Sequence, residues 1–97
     1  MVSLAELRAT RRRQILGLAE RYGACNLRVF GSVARGEQTA ESDLDLLVEW
    51  EPGRSLLDHA ALVADLQDLL GTRVQLGTER SLHWSVRKRI LAEARPL

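Results

Sequence analysis

Two short apolar runs, Leu27 to Phe30 and Leu44 with Leu46, Leu47 and Val48, are separated only by Gly31 to Ser42, a stretch rich in Gly, Ser, Thr and Glu. Both runs read as strands. A link of about twelve residues is short for the crossover helix that parallel neighbours need, so the two strands are expected to pair antiparallel. Upstream, residues 3–22 carry Leu4, Leu7, Ile15, Leu18, Ala19 and Tyr22 near one helical face, with Ser3 and Glu6 spaced as a capping box and Gly23 as a stop. Downstream, Glu51-Pro52-Gly53 ends the second strand. Residues 55–70 then predict a helix between Ser55 and Gly71, with an apolar stripe of Leu56, Ala60, Val63, Leu66, Leu69 and Leu70. Arg73 to Leu76 reads as a third strand. Residues 81–95 read as a last helix with Leu82, Val86, Ile90 and Ala94 at four-residue spacing and Pro96 just past its end. The expected fold is α/β (α+β-like), in the order α-β-loop-β-α-β-α: a small mixed three-stranded sheet with helices packed on it.

Ninety-seven residues are expected to form a single domain spanning 1–97 with a modest core. A hydrophobic fraction of 45% and a charged fraction of 28% argue against disorder. No run approaches the roughly 20 apolar residues of a membrane span. The start, MVSLAELRATRRRQ, lacks the apolar stretch of a signal peptide, and the one cysteine, Cys25, excludes an internal disulfide. The expected setting is the cytoplasm. A formal net charge of +1 argues against direct nucleic-acid binding. Arg11-Arg12-Arg13 and Arg87-Lys88-Arg89 each spread over about 300° of a helix, which suits a solvated surface better than a stripe for an acidic partner. Cys25 is expected to be a buried small hydrophobe, Trp50 and Trp84 packing or interface residues, and His83 surface; Asp58 and His59 suit a helix start.

Chemistry concentrates in FGSVARGEQTAESDLDLLV, residues 30–48. Gly31 and Ser32 follow a strand directly. A glycine there lets the backbone approach an anion, exposed N–H groups can form a nest, and Ser32 adds a hydroxyl. Taken alone, Gly-Ser after a strand is a generic turn. Asp43-Leu44-Asp45 says more, because aspartate is disfavoured in strands, yet two of them open an apolar one. Residues i and i+2 of a strand share a face, so the carboxylates converge with Cβ atoms roughly 6–7 Å apart. They repel unless a cation sits between them, and Mg²⁺ suits such oxygens when substrate phosphates complete its shell. The plainer reading, in which Asp43 caps a turn and Asp45 is solvated at a strand end, stands level with this one on Asp-x-Asp alone. Together, Gly-Ser and Asp-x-Asp place an anion cradle and a metal pair at the same edge of an antiparallel sheet.

With those motifs the sequence resembles the nucleotidyltransferase superfamily of DNA polymerase beta, and in particular its minimal nucleotidyltransferase (MNT) proteins. Residues 31–62 match the family's run from the Gly-Ser loop into the second strand and following helix, and residues 79–97 its last helix. The resemblance implies a nucleotidyltransferase fold. It also implies nucleotide binding by Gly31, Ser32, Arg35 of the Gly-Ser-x-x-Arg-Gly pattern and Ser42, with Asp43 and Asp45 as catalytic ligands of Mg²⁺ and ATP or another NTP as substrate. The chain departs from the pattern at the third strand, where the family's third carboxylate is replaced by Gln75. A glutamine cannot take the acceptor's proton and is a poorer Mg²⁺ ligand. Glu49 and Glu79 lie about 13 Å along an extended strand from that region and do not replace it.

The resemblance implies an enzyme that transfers an NMP, AMP from ATP, to a protein acceptor, as the antitoxin of a HEPN-domain toxin in a toxin–antitoxin pair. The alternative that Gln75 favours is a catalytically weakened module of the same fold that neutralises its toxin by binding. A small-molecule resistance enzyme fits less well, since those carry a second domain. The sequence leaves a homo- or hetero-oligomer open.

Overall fold

A computed structural model describes residues 2–97. The first helical segment starts at α1 (Leu4–Glu6), where the Ser3 hydroxyl accepts from the Glu6 N–H at 3.1 Å, widens into a π-helical turn (Leu7–Arg11) and continues as α2 (Arg12–Arg21). Inside the turn the Thr10 hydroxyl donates to the Glu6 carbonyl at 2.8 Å, a side-chain competition that bends helices. Strand β1 (Ala24–Phe30) follows, then the short helix α3 (Gly31–Arg35) at the start of the connecting loop, and β2 (Leu44–Trp50). Helix α4 (Leu56–Leu70) begins in a capping box made by Ser55 and Asp58 and stops at Gly71, whose φ of +67° suits only glycine comfortably. Strand β3 (Val74–Gly77), a 3₁₀ turn (Glu79–Ser81), helix α5 (Trp84–Glu93) and β4 (Arg95–Pro96) complete the order.

The sheet runs β3-β2-β1-β4. Strands β1 and β2 are antiparallel as expected, β2 and β3 are parallel, and β1 and β4 are antiparallel, so the sheet is mixed. It has four strands where the periodicity predicts three. The fourth, two residues long, pairs with Arg28 and Val29 and is too short to carry any alternation, and its Pro96 reads in the sequence only as a helix stop.

Central strand β2 explains the layering. Leu44, Leu46 and Val48 face a core shared with Ile15, Ala19, Leu27, Val29, Leu62 and Leu66, under α2 and α4. Leu47 points the other way and is equally buried, and α3 and α5, with Ile90 buried on α5, lie along β1. Asp45 shares its parity with Leu47, so it belongs to the α3/α5 face.

Three other expectations are corrected. The α4 stripe is rotated: Leu62 and Leu66 are buried, while Ala60 is exposed and Leu56 is 80% exposed. Its first turn projects past the sheet, so only the later turns meet the core. Cys25 is exposed, because β1 bulges between Cys25 and Arg28, with Asn26 at φ +51°. The extra residue places two positions, Cys25 and Asn26, between the inward Ala24 and Leu27, and turns Cys25 outward. Trp84 is 78% exposed, so of its two expected roles packing is excluded and interface is left, whereas Trp50 lies against the core with its ring 6.1 Å from that of His59. Among the described residues, no helix is long and apolar enough to cross a membrane.

Candidate functional site

The end of β1 meets the beginning of β2. Phe30 stands opposite Asp45, so Gly31 is placed beside the acidic opening of the neighbouring strand. Its φ is +76°, and a Cβ built there would overlap the Asp45 carboxylate. Glycine is therefore required both by backbone conformation and by the close approach. Helix α3, pinned to the core by the buried Val33, starts at Gly31, carries Ser32 and Arg35, and closes at Gly36 in the left-handed region. The Ser32 carbonyl accepts from the Glu37 N–H at 2.9 Å, which fixes the return of the loop.

Asp43 immediately precedes β2 and Asp45 lies within it. The Asp45 carboxyl is pushed above its ordinary value of 3.8, first by burial, then by the charge of Asp43, with the Arg35 guanidinium opposing and Glu93 adding to the rise. Gln75 is the register partner of Asp45 across the parallel β2–β3 pair, which is where the sequence puts the family's third carboxylate. Its amide Nε2 donates to Asp43 Oδ2 at 2.9 Å, and Arg73 Nε lies 3.3 Å from Asp43 Oδ1. Among the described residues, no three His, Cys, Asp or Glu side chains gather to hold a metal. The two carboxylates nevertheless suit one Mg²⁺ that would complete its shell with substrate phosphate and water, and such a cation would neutralise the Asp43 charge that, after burial, raises the Asp45 carboxyl.

Arg35 carries two ion pairs, with Glu37 at 3.2 Å and with Glu93 at 3.1 Å. Glu93, from the last turn of α5, also accepts from the Gly31 N–H at 3.2 Å. Sequence reasoning missed this residue. The one signal available was an acidic side chain in the last turn of a helix, where the backbone dipole disfavours it. Ser42 does not join Gly31. Its hydroxyl accepts from the Thr39 N–H at 2.8 Å and shapes the turn that delivers Asp43. Glu79 is engaged elsewhere, with Arg28 at 2.8 Å, and Glu49 is exposed near the far end of β2, opposite Cys25. The structure thus brings together Gly31, Asp43, Asp45, Gln75 and Arg35, and adds Glu93 and Arg73.

The chain matches known proteins over most of its length. The family described as "Nucleotidyltransferase domain" matches residues 11–97. The chain is 39% identical over 93 residues to the protein adenylyltransferase MntA of Thermococcus cleftensis, covering 96% of this chain and 94% of that one. It is 41% identical over 83 residues to a Methanocaldococcus jannaschii protein provisionally named a protein adenylyltransferase, covering 86% and 89%. A solved structure provisionally described as a minimal nucleotidyltransferase superposes with a TM-score of 0.84 at 54% identity, over 99% of this chain and 97% of that one. A toxin–antitoxin structure with AMP-PNP shares the fold, at a TM-score of 0.73 and 20% identity over 89% and 71% of the two chains.

Proposed function

Because the chain belongs to the minimal nucleotidyltransferase branch of the nucleotidyltransferase domain family, we propose that it is a Mg²⁺-dependent nucleotidyltransferase moving AMP from ATP onto a hydroxyl of a protein partner. The partner of this reading is a HEPN-domain toxin, with the chain as its antitoxin in a hetero-oligomeric pair. The observation that carries the reading is Gly31 pressed against Asp45, which brings a phosphate cradle and a carboxylate pair to one point. Relatives named protein adenylyltransferases, matched over nearly their whole length, support the reaction class. The same fold in toxin–antitoxin structures supports the kind of partner. The exposed free thiol of Cys25 fits a reducing, cytoplasmic setting.

In this mechanism the Gly31 N–H, the Ser32 hydroxyl and the Arg35 guanidinium take the β- and γ-phosphate oxygens. Asp43 and Asp45 would hold the cation, and Ser42 holds the turn that aims Asp43. Mg²⁺, when bound, neutralises triphosphate charge and helps align the acceptor oxygen with the α-phosphorus. The acceptor oxygen forms a bond to that phosphorus as the bond from the phosphorus to the α,β-bridging oxygen breaks, pyrophosphate leaves with the electron pair, and the hydroxyl proton passes to solvent water or to a base on the partner. Rate comes from positioning and from stabilising the developing oxyanions. Gln75 cannot accept the acceptor's proton, so turnover is slow unless the partner supplies a base.

Gln75 also favours a second reading, in which its amide and Arg73 satisfy Asp43 without a cation and the domain neutralises the toxin by contact alone. Incubation with α-labelled ATP, Mg²⁺ and a purified HEPN-domain partner separates the two. Label on the partner that is lost in Asp43→Asn/Asp45→Asn is expected for the transferase. A partner that is tightly bound yet unlabelled overturns catalysis and leaves the binding module.

A further inference from the structure

Glu93 already occupies the groups assigned above to the triphosphate. Its Oε1 accepts from the Gly31 N–H at 3.2 Å, and its two oxygens lie 3.3 and 3.1 Å from Arg35 Nη1. A backbone N–H beside a glycine, together with a guanidinium, is the donor set that a phosphate oxygen uses. The carboxylate is only 18% exposed, and it reaches the cradle from the last turn of α5, where the helix dipole works against it. It also adds a third negative charge near Asp45, whose carboxyl Glu93 helps to push up. A side chain held in two unfavourable fields by the nucleotide's own donors is poorly explained as packing. Helix α5 is anchored independently, by the buried Ile90 and by β4 pairing with β1, so rotation of the Glu93 side chain can vacate the cradle without moving the helix.

We infer that Glu93 is an internal competitor of the nucleotide: its carboxylate fills the cradle of the free protein, and the β- and γ-phosphates must displace it from Gly31 and Arg35 to bind. This rests on the nucleotide reading above. Glu93 is therefore an affinity-setting residue, and its removal is expected to tighten binding. A purely structural clamp between α5 and α3 would weaken binding or leave it unchanged when removed.

The test is calorimetric binding of AMP-PNP with Mg²⁺, and separately of inorganic tripolyphosphate, to the full chain and to Glu93→Gln. The amide keeps an acceptor for the Gly31 N–H and removes the charge paired with Arg35. Expected is a Kd roughly 2- to 10-fold lower for both probes, the range in which a partly exposed ion pair registers in affinity. Binding to the parent with no gain, or a loss, in the variant overturns the inference alone. Absence of binding by both proteins overturns the nucleotide reading, and the inference with it. If Glu93→Gln does not fold, the Glu93 side-chain carboxyl ¹³C resonance of the parent is followed during tripolyphosphate titration. Movement with saturation supports displacement, and a static signal at saturation refutes it.

Discussion

At the scale of single residues, the site is a negotiation among like charges at the edge of β2. Asp45 lies half-buried beside Gly31, and Asp43 has its charge met by the Gln75 amide and the Arg73 guanidinium. Gln75 is thus a donor to Asp43 where the family pattern calls for a third acceptor. Replacing it by aspartate removes that hydrogen bond and adds a further negative charge beside Asp43 and Asp45, so metal-free Gln75→Asp is expected to melt below the parent, with Mg²⁺ restoring more of the loss than it gives the parent. Where catalysis is limited by proton removal, the same variant should transfer AMP at least tenfold faster, since general-base assistance contributes about 10²–10⁴-fold. Thermal melts with and without Mg²⁺, beside the labelled-transfer assay, read both effects, and no gain in transfer would count against Gln75 as the defect. Gly31, Asp43 and Asp45 could be placed from the sequence because two-residue strand periodicity and an antiparallel pair bring them together, and Gln75 through the family pattern from which it departs. Glu93 could not, since it meets Gly31 across 62 residues of chain through the packing of α5, which no local pattern encodes.

At the scale of elements, what was legible depended on whether local chemistry or tertiary packing fixes the boundary. Helix α4 was bounded correctly at both ends because its ends are set by side chains within a turn: Ser55 accepts from Leu57 N–H at 3.2 Å, Asp58 accepts from Ser55 N–H at 2.9 Å, and Gly71 supplies the left-handed stop. Its buried face was misread by part of a turn, because the stripe that counts is the one the sheet happens to meet. The π-helical turn at Leu7–Arg11 and the bulge in β1 each insert backbone irregularity without changing composition, and so left no sequence signal. The capping account is itself testable. Ser55→Ala is expected to lower global stability by about 1 kcal/mol, the usual worth of such a cap. Since Ser55 lies beyond the end of β2 remote from Asp43, nucleotide affinity should stay at the parental value, and denaturant unfolding beside calorimetry checks both halves.

At the scale of the whole molecule, a formal net charge of +1 conceals a local excess of negative charge at one sheet edge, and this couples fold stability to pH and to cations. The Asp45 carboxyl is raised in the folded chain by burial and by Asp43, above the ordinary 3.8 that applies when the chain is unfolded. Between those two values the folded protein binds more protons than the unfolded one, so stability falls as pH rises through the window and then carries a fixed penalty above it. Below pH 3.8 that penalty is absent. Asp45→Asn removes the charge, so in EDTA the variant should be more stable than the parent at neutral pH by up to ~1 kcal/mol after allowance for solvent screening. The difference should shrink toward zero as the pH is lowered through the window. Mg²⁺ should reverse the ranking, because a cation shared by both carboxylates stabilises the folded parent by mass action and has one fewer charged ligand in the variant. Parallel denaturant curves across pH, with and without Mg²⁺, measure this directly. A variant less stable than the parent in EDTA at neutral pH would mean that the Asp43–Asp45 repulsion is already offset by Arg35 and Arg73, and that the edge of β2 is balanced without a metal.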